Sequence, residues 1–166
     1  MTIHFVKAEF MIAFLRDSNT SKSVTEIFNA LYDKLGHDLF KKLFPVILTD
    51  NGSEFSNPTA IEFSPSGERR SNVFYCDPSS PHQKGAAENN HEFIRRILPK
   101  GSSFNELTQN DIDLMMSHIN SYKRKKLNDK TPYESFSFFY NESTAKLLNV
   151  DKIDSDKVVL SKSLLR

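Results

Sequence analysis

A short apolar run that breaks off at an acid constrains this chain more than any other stretch. Pro45-Val46-Ile47-Leu48-Thr49-Asp50-Asn51-Gly52 reads as a strand followed by a turn. Val46, Ile47 and Leu48 are consecutive apolar residues, the pattern of a strand buried on both faces. Asn51-Gly52 is a strong turn signal, so the chain leaves the sheet directly after Asp50. That carboxylate sits at the carboxyl end of a strand, where open α/β sheets place their ligands. Downstream, Asp77 to Gly85 holds two prolines, two serines and a glycine and reads as a loop. A helical pattern follows, with Ala87, Asn90 or His91, Ile94, and Ile97 or Leu98 on one face. Glu88, Glu92, and Arg95 or Arg96 fall on another, and Pro99 and Gly101 end the helix.

An acid at a strand end and a second acid on a later helix can converge on one divalent cation. Mg²⁺ takes oxygen ligands and often keeps only one or two protein carboxylates, with substrate phosphates at other positions. Asp50 and Glu88 are the candidate pair. Plainer roles stay open for both. An Asp before Asn-Gly also serves as a turn residue, and a Glu in a first helical turn also favours the helix dipole.

Composition bounds the rest. The chain has 166 residues, enough for one ordinary domain with a core, and its 38% hydrophobic and 26% charged content fits a folded globular protein. Its net charge of +1 gives no global attraction to nucleic acid, so any DNA contact must come from local patches. The single cysteine, Cys76, excludes an internal disulfide and a cysteine-based zinc site, and reads as a small buried residue. No run approaches membrane-spanning length and no signal peptide pattern opens the chain, so the cytoplasm is the expected location.

Elsewhere, residues 2 to 16 read as two strands bent at Lys7-Ala8-Glu9, the second apolar throughout and therefore buried. Ser21 or Ser23 can cap a helix whose face is Val24, Ile27, Phe28, Leu31 and Leu35, ended by Gly36. Residues 57 to 70 read as a helical turn and then a loop expected to be mobile and to contact substrate. Val73 to Cys76 reads as a strand. Thr108 caps a helix with Ile112, Met115, Met116 and Ile119 as its core stripe, running to about Lys123. Lys123-Arg124-Lys125-Lys126 is a compact basic run, either a solvated helix end or a phosphate contact. Thr131-Pro132 reads as a helix start, and a short helix lies around Ala145 to Leu148.

Thr49-Asp50-Asn51-Gly52-Ser53-Glu54-Phe55 resembles the second-acid motif of DDE transposases and retroviral-type integrases. Tyr75-Cys76-Asp77-Pro78-Ser79-Ser80-Pro81, Gln83-Lys84-Gly85, Glu88-Asn89-Asn90, Arg95-Arg96 and Pro99-Lys100-Gly101 resemble the third-acid region of bacterial insertion-sequence transposases of the family numbered thirty. Arg124, Lys125, Leu127, Thr131, Pro132, Glu134 and Phe136 match a further basic segment of that family. His82 stands where the family commonly has Trp, and Lys123 where Pro is common.

The resemblance implies a ribonuclease-H-like α/β fold with a mixed sheet and flanking helices. Residues 1–140 would form a partial integrase-type catalytic core and 141–166 a tail with a short helix. It implies Asp50 and Glu88 as catalytic and metal-binding acids, and Mg²⁺ or Mn²⁺ as cofactor. DNA is the implied substrate, with Lys84, Arg95, Arg96, Lys100, Lys123, Arg124, Lys125 and Lys126 on phosphate. The chemistry would be phosphodiester hydrolysis and DNA strand transfer, and self-association or pairing with a full-length transposase is expected.

The family's first, central strand and its first catalytic Asp have no counterpart here. Thr2-Ile3 aligns just past that strand, and no Asp lies in residues 1–16. The upstream DNA-reading domain is also without a counterpart, so the chain resembles the C-terminal part of a transposase. Very low activity is therefore expected, with two unpaired sheet edges prone to aggregate. The alternative is a non-enzymatic fragment that inhibits by binding DNA or the full-length protein.

Overall fold

The structure, a computed structural model, describes residues 1–77 and 85–165, and for residues 85–89 it describes the backbone only. In chain order the elements are β1 (Thr2–Phe5), β2 (Phe10–Ala13), α1 (Ser21–Leu35), α2 (His37–Leu43), β3 (Ile47–Thr49), α3 (Pro58–Glu62), β4 (Val73–Tyr75), α4 (Gly85–Ile97), α5 (Gln109–Asn120), α6 (Pro132–Tyr140) and α7 (Glu142–Leu147). They form a mixed α/β architecture in two compact units, Met1–Leu15 with Lys84–Arg166, and Arg16–Gln83.

In the first unit β1 and β2 form an antiparallel hairpin, with Ile3 opposite Ile12 and Phe5 opposite Phe10. A 3-10 turn and Glu9, at φ 52, make the bend. All four β2 residues are buried, as their apolar run predicts. The outer edge of β2 is closed by two side-chain amides of α5. Asn120 accepts the Met11 N–H at 3.0 Å and donates to the Met11 carbonyl at 2.7 Å. Gln109 accepts the Leu15 N–H at 3.0 Å and donates to the Ala13 carbonyl at 3.0 Å. Both Met11 groups, the Ala13 carbonyl and the Leu15 N–H, all turned away from β1, thus find partners without a third strand. Phe136 of α6 stacks on Phe10, with ring centroids 4.1 Å apart, and meets Phe5 edge-on at 5.2 Å. The α5 stripe of Ile112, Met115, Met116 and Ile119 is buried, as its helical spacing predicts.

Helix starts in this unit follow the expected chemistry. Thr108 and Asp111 form a capping box on α5, and Thr131 and Glu134 form one on α6 with Pro132 in the first turn. The segment after α7 is strapped along α5. Backbone N–H groups of Asp151 and Ile153 donate to the hydroxyls of Ser117 and Ser121, and that of Val159 donates to His118 Nδ1 at 3.1 Å.

This strap is sensitive to acid. Val159 can donate only to an unprotonated Nδ1, and burial holds the His118 pKa below its ordinary value. With a folded pKa below the unfolded one, the neutral ring's contribution is fully present above about pH 6.5 and is lost as pH falls below it. The protection factor of the Val159 amide, its exchange measured against the intrinsic rate at each pH, should therefore fall between pH 7.5 and 5.5. In His118→Gln, which keeps an acceptor, that dependence should flatten.

The second unit packs Val24, Phe28, Leu31 and Leu35 of α1 with Phe40 and Leu43 of α2, Phe44 and Ile61 in one core. The α1 cap is Thr20, whose hydroxyl accepts the Ser23 N–H, rather than Ser21 or Ser23. Ser23 instead donates to the Ser18 and Thr20 carbonyls, so its hydroxyl is committed elsewhere. Strands β3 and β4 pair in parallel, Leu48 opposite Phe74. Among the described residues β3 and the N-terminal hairpin belong to separate two-stranded sheets.

Two expectations for this unit are corrected. Strand β3 is not buried on both faces. Leu48 is 52% exposed and its register partner Phe74 is 56% exposed, so one face of this small sheet lies open. Three apolar residues in a row do not distinguish a covered strand from one whose cover lies elsewhere. The loop ending at Arg70 is not free to meet substrate at that end. Arg70 is fully buried and forks to the carbonyls of Ala60, Ile61 and Phe28 and to Asn29 Oδ1.

Candidate functional site

Asp50 directly follows β3 and is exposed. Its carboxylate accepts the Gly52 N–H at 3.2 Å, a short local bond that fixes the turn. The same turn brings Glu54 close. A methyl group on Gly52 would come 2.5 Å from a Glu54 carboxylate oxygen and 3.0 Å from one of Asp50. Gly52 is thus the gap that both carboxylates lean into. Hard oxygen donors of this kind suit Mg²⁺ or Mn²⁺ rather than soft metals. Among the described residues no cluster of three or more His, Cys, Asp or Glu side chains is placed to hold a metal.

Residue 88 lies in the first turns of α4, but the Glu88 side chain is outside the described residues, as is Lys84. Asp50 belongs to the second unit and Glu88 to the first.

The basic residues take several different roles. Arg95 and Arg96 occupy the last turn of α4, and Lys100 is exposed just beyond it. Arg95 is paired with Glu92, while Arg96 lies over the Phe93 ring at 4.9 Å. The run 123–126 does not end a helix, because α5 stops at Asn120. Arg124 instead opens a tight turn closed by its N–H to the Lys130 carbonyl, with Asn128 and Asp129 in left-handed backbone. Lys123, Lys125 and Lys126 are exposed, and Lys126 is paired with Glu9 at 2.6 Å.

Arg124 is the exception in its run. Its side chain is buried, with Cζ 3.6 Å from the centre of the Phe93 ring. One terminal nitrogen donates to the Ile119 carbonyl at 3.1 Å and reaches Asn90 Oδ1 at 3.5 Å. Burial brings its pKa down to about 10, against the opposing pull of Glu9 and Tyr122, so it stays charged at neutral pH. Beneath it, Asn90 donates to Glu9 Oε2 and lies 2.9 Å from His4 Nε2. Burial lowers the His4 pKa, an effect Glu9 opposes. Sequence reasoning did not find Glu9, Asn90, Phe93 and Tyr122 as one cluster. They join segments more than 80 residues apart, and no local period carries that information.

No protein-family profile and no solved structure matches the chain. Curated sequences do. The chain is 32% identical over 128 residues to the transposase InsI for insertion sequence element IS30C of Escherichia coli (strain K12), covering 77% of this chain and 31% of that protein. It is 32% identical over 104 residues to the transposase for insertion sequence element IS4351 of Bacteroides fragilis, covering 63% and 31%. A putative integrase, ORF3 of Spiroplasma virus SpV1-R8A2 B, is 31% identical over 120 residues, covering 72% and 35%. The chain spans about a third of the length of these relatives. No helix among the described residues is long and apolar enough to cross a membrane.

Proposed function

The chain is a relative of the insertion-sequence transposases, and from that premise we propose that it carries part of a ribonuclease-H-like catalytic core for metal-dependent DNA cleavage and strand transfer. The 32% identity across 77% of its length to a transposase is the observation that carries this reading. The placement of Asp50 supports it, because an exposed carboxylate at the carboxyl end of a parallel strand is where α/β sheets bind ligands. Asp50 and Glu88 would hold Mg²⁺ or Mn²⁺. The ion would polarise a phosphodiester and stabilise the charge that builds on its oxygens. Lys84, Arg95, Lys100, Lys123 and Lys125 would meet the DNA backbone by charge, without reading sequence.

The test is nicking of supercoiled plasmid in Mn²⁺, with the chain as it stands. A slow, metal-dependent conversion to open circles is expected, lost in Asp50→Asn and in Glu88→Gln. Nicking that survives both substitutions would remove these two acids from the chemistry.

A further inference from the structure

A second feature of the first unit lies outside the acid site. Tyr122, just past α5, is 41% exposed and sits against the half-buried Phe93 of α4. Their ring centroids are 5.5 Å apart with planes inclined at 49°. Arg124 lies on the Phe93 face at 3.6 Å and 5.3 Å from the Tyr122 ring, and Arg96 lies over Phe93 at 4.9 Å. Lys123 is exposed alongside in sequence. Glu92, one residue before Phe93, is engaged by Arg95. Among the described residues two nitrogens of Arg124, Nε and Nη1, are buried without a hydrogen-bond partner.

A ring pair that only filled the core would be covered, and would not gather cations around an open edge. Open aromatic surface flanked by fixed positive charge matches one ligand chemistry well. Unpaired nucleobases offer π-faces to stack, and the phosphates between them offer charge to the arginines and the lysine. In a duplex those faces are already stacked on neighbours and out of reach. We propose that Phe93 and Tyr122, braced by Arg124 and Arg96, form a stacking platform for unpaired bases of single-stranded nucleic acid. The buried Arg124 holds Phe93 in place, Tyr122 is the contact ring, and Arg96 and Lys123 meet the flanking phosphates. The proposal rests on nucleic acid being the ligand, but not on Asp50 or Glu88 being catalytic.

The test uses a single strand of about 15 nucleotides carrying 2-aminopurine, with its duplex form as comparison. Binding to the single strand should quench the 2-aminopurine emission, because a stacked base loses fluorescence, and the duplex should bind more weakly. Tyr122→Leu should weaken single-strand binding by roughly 5- to 150-fold, the range for loss of one base stack, while Tyr122→Phe should bind like the parent. Equal binding by Tyr122→Leu, or a duplex preferred over the single strand, would overturn the platform. A readout without any substitution is photocrosslinking of a 5-bromouracil strand, mapped by mass spectrometry. Adducts on Tyr122 or Phe93 support the proposal, and adducts confined to other residues overturn it. The outcomes separate the two readings. Binding lost with Tyr122→Leu in a chain that never nicks DNA keeps the platform and sinks the catalytic reading. Nicking that depends on Glu88 alongside unaltered binding by Tyr122→Leu does the reverse. No binding to any nucleic acid sinks both.

Discussion

Arg70→Ala should unfold the second unit. The Arg70 side chain is fully buried, and it is the hydrogen-bond donor for the carbonyls of Ala60, Ile61 and Phe28 and for Asn29 Oδ1. Its guanidinium also lies 5.2 Å from the Tyr32 ring centre and 5.3 Å from that of Phe40. Truncation takes a donor from each acceptor, though the Phe28 carbonyl keeps its helical partner, and opens a void between two aromatic rings. Each orphaned buried group costs about 1–3 kcal/mol, so the sum should reach about 4 kcal/mol or more, at the upper end for a single change. That is a large part of the ~5–15 kcal/mol that holds an ordinary domain together. Limited proteolysis should show cuts between residues 16 and 83 while the first unit survives. Arg70→Lys should recover little, because an ammonium cannot span acceptors on α1 and α3 in one plane. A urea midpoint for Arg70→Ala close to the parent's would show that water replaces the lost donors at low cost.

The second large effect is expected in the first unit. Asn120 is fully buried and serves both backbone groups of Met11, while also donating to the Met116 carbonyl at 2.9 Å. Asn120→Ala should cost about 3 kcal/mol, because the Met11 N–H and carbonyl lose their partner where no solvent reaches. Asn120→Asp is the sharper comparison. It keeps the acceptor for the Met11 N–H but turns two donors into a buried carboxylate facing a carbonyl. It should be at least as damaging at neutral pH and partly recover in acid, where the carboxyl is protonated and can donate once. Thermal melts at pH 7 and pH 4.5 would check this. Equal stability of Asn120→Asp and the parent at pH 7 would mean Met11 does not depend on that amide.

Much of this was legible in the sequence, for identifiable reasons. The α5 and α6 starts could be read from Thr108 and Thr131, because a cap is decided by residues three positions apart. The buried β2 could be read because its run has no polar position to turn outward. The Asp50 turn could be read from Asn51-Gly52. What could not be read depends on distant partners. Leu48 and Phe74 look like core, and whether such a strand is covered depends on elements that its own residues do not specify. Arg70 looks like a loop cation, yet its acceptors lie on α1 and α3. Arg124 looks like one of four basic neighbours, and only Phe93 and Asn90, over 30 residues earlier, set it apart. For the acid site, Asp50 and its turn are local and were readable, while the pairing with Glu88 rests on the motif, since no local pattern can carry a relation across 37 residues.

The amides on β2 also act as a proofreading device. Backbone groups of a strand alternate in direction, so Asn120 and Gln109 can engage only Met11, Ala13 and Leu15, residues of one parity. A slip by one residue would present both amides with groups already turned toward β1, and both grips would fail together. Two grips at separate points on one rigid helix reject such an error more sharply than either would alone. A pair of side chains thereby gives a two-stranded ribbon a unique alignment, a task usually left to further strands.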